Sequence, residues 1–327
     1  MAVETPPRVV VLSGGAAPPG AARLDSDARL AQVRYVSADE LAGALPGADV
    51  LLVWDLFSRA LVDAWGKADQ LRWIHAATAG VDNLMFPELT ASDVVLTNSR
   101  GIFDQSIAEY VLGLVLAYTK DLPGTLSRQT RHEWEHRETE RVAGKRALVI
   151  GTGPIGRAIA RQLSAVGLTV RGLGRTARTD DPDFTTVHPQ QELHTAVSEA
   201  DFVVLAAPLT EATHGMIDDA ALRAMRPSTR VINIGRGPLV VERDLVAALR
   251  DGAIAGAALD VFESEPLPTD SPLWDMPGVI VSPHMSGDTV GWRADLAQLF
   301  YDNLDRYLDG RELRNIVDKR RGYVPHG

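Results

Sequence analysis

Residues 146–165 read RALVIGTGPIGRAIARQLSA: an apolar run, a glycine-rich hexapeptide and then a stretch whose apolar positions recur at helical spacing. ALVI is a buried strand, Pro154 suits the first turn of a helix, and the segment from Ile155 onward is amphipathic. A glycine hexapeptide alone occurs in simple turns. Between a strand and a helix, GTGPIG (Gly151, Thr152, Gly153, Pro154, Ile155, Gly156) has the layout of a dinucleotide-binding loop. Gly151 permits the tight turn, Gly153 lets the backbone approach a pyrophosphate, and Gly156 lets helix and strand pack closely. The helix N-terminus then faces the phosphates. The bland alternative is a βα turn without a ligand.

Outward from this loop the chain alternates short β-branched runs with helical stretches, the pattern of parallel sheets covered by helices on both faces. RVVVLS (8–13), DVLLVW (49–54), RWIHAA (72–77) and DVVLTN (93–98) read as strands, with a helix over Ser37–Leu45 opened by a Ser37/Glu40 capping box. A second series runs through RALVI, LTVRGL (168–173), DFVVLAAP (201–208), RVINIG (230–235), GAALDV (256–261) and GVIVSPH (278–284). The fold class is therefore α/β, with two doubly wound Rossmann-like domains. Long helices at 104–120 and 289–308 connect them, and if the second returns the chain to the first unit, the glycine-loop domain is an insertion. The expected boundaries are 1–99 with 288–327 for a flavodoxin-like substrate domain and 100–287 for the dinucleotide-binding domain. The Asp-, Thr- and Pro-rich stretch Thr176–Pro189 reads as a surface loop.

With 327 residues, 45% of them hydrophobic, the chain suits two globular cores. A net charge of −10, from 33 basic and 43 acidic side chains, disfavours nucleic acid as a partner. There is no cysteine, which excludes disulfides and thiolate metal sites. The N-terminal apolar run is too short for a signal peptide, and the most apolar helix, Ile107–Tyr118, contains Glu109 and falls short of the roughly 20 residues that span a bilayer. A cytoplasmic protein with no membrane partner is expected.

An NAD site usually has an acidic residue at the end of its second strand for the ribose hydroxyl. Here that place, 19 residues past Gly156, holds Arg175 and Thr176, with Arg178 close behind. A guanidinium binds a 2′-phosphate through paired charge-assisted hydrogen bonds, whereas a carboxylate repels it. NADP(H) is the expected cofactor, with NAD(H) possible. The alternative is that Arg175 is a solvated loop residue.

Arg236, Glu265 and His284 each stand just past a predicted strand of the second series. Neighbouring parallel strands deliver them to one edge of the sheet, beside the cofactor loop. Reduction of a 2-keto acid needs a cation for the carboxylate and the polarised carbonyl, and an acid that protonates the oxygen as hydride reaches the carbon. Arg236 suits the first role and His284 the second. Glu265 beside the imidazole favours its charged form and fixes its orientation. Singly, each has a dull explanation as a turn residue, a solvated charge or a buried histidine; together they describe a hydride-transfer site.

At these residues the chain resembles the D-isomer-specific 2-hydroxyacid dehydrogenase family, in particular its glyoxylate and hydroxypyruvate reductase branch. The resemblance extends through TAGVDNL (78–84), TNSRGIFDQSIAEYVLGLVLA (97–117), LAAPLTEATHGMI (205–217), INIGRG (232–237), ALDVFESEPLP (258–268) and PLWDMPGVIVSPHMSG (272–287). It implies Arg236, Glu265 and His284 as the catalytic residues, an inserted cofactor domain, hinge closure and a homodimer. Further cofactor contacts are implied at Ala207, Pro208, Thr213, Ile234, Gly235, Asp260, Ser286 and Gly287. Two departures stand out: Arg175 replaces the usual acid, as in the NADP-using branch, and Ala207 replaces a usual leucine. The resemblance also gives the Ala77–Val81 turn a role, with backbone N–H groups at Ala79, Gly80 and Val81 holding the substrate carboxylate alongside Arg236 and His284. Trp54, Phe57, Met85 and Phe86 are candidates for a substrate side-chain pocket, as are Trp134, Met285 and Trp292, although such residues are more often plain core.

HEWEH (132–136) fits the zinc-peptidase pattern, but its charged surroundings favour a solvated helix and no metal is expected. Two rival functions fit the same fold: a dinucleotide-sensing corepressor-like protein without turnover, and a formate or phosphite dehydrogenase-like enzyme. The intact trio opposes the first. Glu265 opposes the second, because formate dehydrogenases of this superfamily set a glutamine beside the histidine.

Overall fold

The computed structural model describes residues 5–325. The first four residues, at the start of the N-terminal segment read above, lie outside the described range. Two compact units result, one formed by the chain up to Ile102 and again from Thr289, the other by Phe103–Asp288. The glycine-loop unit is thus inserted within the other.

The first unit is built on β1 (Arg8–Leu12), β2 (Gln32–Val36), β3 (Val50–Val53), β4 (Trp73–Ala76) and β5 (Val95–Thr97), all parallel in the order β2-β1-β3-β4-β5. This is the flavodoxin-like order. β2 is a strand that the apolar runs do not reveal. It lies at the sheet edge with Gln32 and Arg34 outward, so it needs no continuous apolar sequence. The Ser37–Leu45 helix contracts to Leu41–Ala44. Half of the capping box is present, with the Glu40 carboxylate accepting from the Ser37 N–H at 2.9 Å and hydroxyl at 3.0 Å, but it closes a turn ahead of the helix. The returning helix Trp292–Leu308 starts three residues later than the sequence suggests, after Gly291 at φ 93°. It buries Leu296, Phe300 and Leu304, and Phe300 stacks on Trp73 with centroids 5.5 Å apart.

The second unit carries β6 (Arg146–Ile150), β7 (Thr169–Gly174), β8 (Val187–Pro189), β9 (Phe202–Leu205), β10 (Arg230–Asn233), β11 (Gly256–Leu259) and β12 (Val279–Val281). They form one parallel sheet in the order β12-β11-β10-β9-β6-β7-β8. Alternate residues feed opposite cores. Leu148, Ile150, Val203 and Leu205 pack on one face, Ala147, Val149, Phe202 and Val204 on the other. Burial on both faces explains why these strands read as unbroken apolar runs, each large side chain contributing roughly 1.5–3 kcal/mol. The helix Asp104–Thr119 covers the second face with Ile107, Val111, Leu114, Val115 and Tyr118. The strand order reverses between β6 and β9, and ligands of such sheets bind beyond the strand ends at that reversal.

The Thr176–Pro189 segment is not the plain surface loop expected. It ends in β8, and Phe184 and Val187 are buried. The HEWEH segment is not a helix either. Residues 133–140 carry no regular structure, Trp134 is fully exposed, and His132 has a positive φ of 56°. Without a helix the two histidines lose the one-turn spacing that zinc binding requires. Among the described residues no helix is long and apolar enough to cross a membrane.

Candidate active site

The glycine loop runs from the end of β6 into the helix Pro154–Ala165. Gly151 has φ 105°, and a side chain there would meet the backbone of Ala206 and Ala207 at 2.6 Å. A Cβ on Gly156 would lie 1.9 Å from the Gly151 carbonyl oxygen. The two glycines thus let the loops after β6 and β9 touch and seat the helix N-terminus directly behind the turn. A backbone cradle of this kind at the reversal point, with helix N–H groups opening from it, fits a dinucleotide pyrophosphate. Gly153, Pro154 and Ile155 form the helix entrance.

The turns that carry Arg236 and His284 are each held by a buried polar residue. Asn233, 1% exposed at the end of β10, accepts the Gly235 N–H at 3.1 Å and donates to the Arg236 carbonyl at 3.0 Å, closing the turn that carries Arg236. Asp260, 1% exposed beyond β11, accepts from the Ser282 hydroxyl at 2.7 Å and from the Met285 and Ser286 N–H groups at 2.9 Å. Its own carbonyl accepts the His284 N–H at 2.8 Å. His284 sits in this bracket with φ 53°, a left-handed conformation uncommon for histidine and costing on the order of 1–3 kcal/mol. The sequence shows neither bracket, because an aspartate and an asparagine at strand ends look like ordinary loop polar residues.

Glu265 joins the loops. Its Oε1 accepts the Phe262 N–H at 2.9 Å and its Oε2 pairs with His284 Nδ1 at 2.8 Å. Burial pushes the Glu265 carboxyl up, but the bonds from His284 and Phe262 and the charges of His284 and Arg236 outweigh it, so its pKa lies below the ordinary value. Glu265 is therefore ionised throughout the neutral range. The stability that the Glu265 carboxylate contributes is present above the usual carboxylate pKa and is lost as pH falls through the lowered one. His284 Nδ1 is thus engaged by Glu265.

Asp260→Ala strands three donors, two of them backbone N–H groups, and frees the strained His284 turn. A stability loss of about 3 kcal/mol in urea unfolding is expected, together with reduced turnover. Unchanged stability would show that the bracket does not hold the loop.

The other predicted positions distribute as follows. Arg175 and Thr176 are exposed just past β7. Ala207 is buried, and Thr213 closes its loop by donating to the Pro208 carbonyl at 2.7 Å. Ile234 packs into the core beside Gly235, Ser286 is buried, and the Gly287 carbonyl accepts from Ser106. In the other unit, the carbonyls of Thr78, Ala79 and Gly80 accept from the Ser99 N–H, Asn98 Nδ2 and the Thr78 hydroxyl, which fixes the turn while Val81 anchors it in the core. Trp54, Phe57 and Trp292 line one cleft of about 300 Å³ with Asp55 and Arg293. Phe86 and Met85 are core instead, Phe86 meeting Trp65 edge-on at 5.2 Å; Met285 and Trp134 are exposed.

The model of the "D-isomer specific 2-hydroxyacid dehydrogenase, NAD binding domain" family matches residues 112–286. A glyoxylate reductase of Thermofilum pendens is 32% identical over 294 residues, 86% of this chain and 85% of that one. Glyoxylate/hydroxypyruvate reductase B of Escherichia fergusonii is 34% identical over 266 residues, 77% of this chain and 79% of its own. Among solved structures, the NADPH-dependent glyoxylate/hydroxypyruvate reductase of Sinorhizobium meliloti, in complex with NADP and sulfate, superposes with a TM-score of 0.81 at 27% identity, covering 97% of this chain and all of that one. A Xanthobacter autotrophicus enzyme in complex with NADPH and MES gives 0.81 at 30% identity, over 98% of this chain and all of its own. On the family model and the relatives together, this chain belongs to the D-isomer specific 2-hydroxyacid dehydrogenases and is an NAD(P)-dependent oxidoreductase.

Proposed function

We propose that this protein reduces small 2-keto acids, of the size of glyoxylate or hydroxypyruvate, to D-2-hydroxy acids, with NADPH preferred over NADH. The observation that carries the reading is the His284–Glu265 pair, an imidazole bonded at Nδ1 to an ionised carboxylate and held in a left-handed backbone by Asp260. Reduced nicotinamide, when bound, supplies the hydride. His284 Nε2 gives a proton to the carbonyl oxygen as the carbon accepts that hydride, so an alcohol forms with no net charge left on oxygen. Glu265 keeps the imidazole oriented through Nδ1. Arg236 binds the carboxylate and polarises the carbonyl. The second unit, which carries the glycine loop, is the cofactor domain, and the Ala79–Val81 turn assigns the first unit to substrate.

The NADPH preference is supported by the arginines after β7 and by relatives whose structures hold NADP or NADPH. A homodimer is supported by apolar side chains left at the surface in one region of the second unit, Leu116, Leu122, Leu126 and Trp134. Steady-state assays with glyoxylate, hydroxypyruvate and longer 2-keto acids, each with NADPH and NADH, test the reading. Turnover with at least one keto acid and higher kcat/KM with NADPH are expected. No turnover with any of them would reject the reaction, and a tenfold preference for NADH would reject the cofactor assignment alone.

A further inference from the structure

The segment after β7 holds a cluster of charges that the sequence does not announce. Asp181, its side chain 2% exposed, accepts four hydrogen bonds: from Arg157 Nη1 and Nη2 at 2.9 Å each, from Arg178 Nε at 3.0 Å and from the Asp183 N–H at 3.1 Å. A carboxylate offers about four lone-pair sites, so its acceptor capacity is filled. Asp181 is therefore no substitute for the acid that receives a ribose hydroxyl in NAD sites. It is a counter-ion that ties two elements together. Arg157 belongs to the helix that opens from the glycine loop, and it also reaches Asp183 at 2.8 Å and lies over the Phe184 ring.

Arg178 completes the link. Its backbone pairs with Val187 in both directions, its Nε is on Asp181, and its Nη2 donates to Thr152 Oγ1, inside the glycine loop, at 3.0 Å. These two side-chain bonds use two of the five guanidinium N–H groups. The group is thus fixed at both ends beside the loop while its side chain stays 35% exposed.

We propose that Asp181 is a positioning residue for cofactor discrimination: it holds Arg178 across Thr152, and Arg178 so held is the ligand of the 2′-phosphate that distinguishes NADP(H) from NAD(H). The assignment rests on the NADPH preference proposed above. It adds that a fixed guanidinium, not positive charge in the neighbourhood, makes the distinction. Charge alone predicts the opposite effect of removing Asp181, because deleting an anion beside a phosphate should strengthen binding.

Calorimetric titration with adenosine 2′,5′-bisphosphate and adenosine 5′-monophosphate separates these ideas without turnover. Wild-type protein should prefer the bisphosphate. In Asp181→Asn, bisphosphate affinity should fall roughly tenfold, the scale of one charge-assisted contact, with monophosphate affinity within about twofold. Arg178→Lys keeps the charge but cannot span Asp181 and Thr152, and should lose a similar factor. Adding Asp181→Asn to Arg178→Ala should cost nothing more, since Asp181 acts through that arginine. Unchanged or tighter bisphosphate binding in Asp181→Asn, or equal loss of both nucleotides, overturns the positioning role. If Asp181→Asn does not fold, wild-type selectivity in Arg178→Lys overturns it. Equal affinities in the wild-type protein would instead end the NADPH reading, and this role with it.

Discussion

His284→Ala is expected to lower keto-acid turnover by about 100- to 10,000-fold, the usual weight of general acid catalysis, and to leave nicotinamide cofactor affinity within about twofold. The acid goes, but the glycine loop, built on β6 and the helix behind it, stays. Alanine also inherits a φ of 53°, which it adopts poorly. His284→Asn separates the two effects, because asparagine tolerates the left-handed region and still cannot serve as the acid. Both variants should lose turnover alike, measured by stopped-flow reduction under saturating cofactor. Near-normal turnover in the asparagine variant would remove His284 from the chemistry and leave it a strained loop residue.

Arg236→Ala is expected to lower kcat/KM by roughly 100- to 1,000-fold, through both a higher KM and a lower kcat. The guanidinium is asked to bind the ground-state carboxylate and to stabilise charge growing on the carbonyl oxygen, so neither constant alone carries the loss. Arg236→Lys should recover only a fraction, since an ammonium lacks the planar fork that meets two oxygens. Removing Arg236 also takes away one of the charges that lower the Glu265 pKa. Glu265 should then protonate at a higher pH, narrowing the acidic side of the rate profile. A change confined to cofactor affinity would move Arg236 from the substrate to the dinucleotide.

The central strands of the second sheet were legible as apolar runs, and so was β12, the edge strand that precedes His284, because its Val279–Val281 run is itself apolar. β6, β9 and β10 are buried on both faces and so read as apolar runs, each ending where the next polar residue must be functional or capping. β2 and β8 escaped because edge strands half exposed to water carry polar residues, and β8 sits within a segment rich in turn formers. The HEWEH segment shows the reverse error: local charge and spacing suggested a helix that its surroundings do not stabilise. Short solvated helices depend on packing that periodicity cannot supply.

Composition and local pattern alone determined a two-domain α/β chain, a glycine loop between strand and helix, and an arginine, a glutamate and a histidine beyond successive strands. These features follow from backbone sterics and burial, which act on neighbours in the chain. Tertiary structure decided what holds those groups. Asp260 reaches 25 and 26 residues ahead to the Met285 and Ser286 amides, and Asp181 reaches 24 residues back to Arg157, as does Arg178 over 26 residues to Thr152. A hydrogen bond between distant residues depends on where the sheet sets two loops, and no periodicity in either loop encodes its partner.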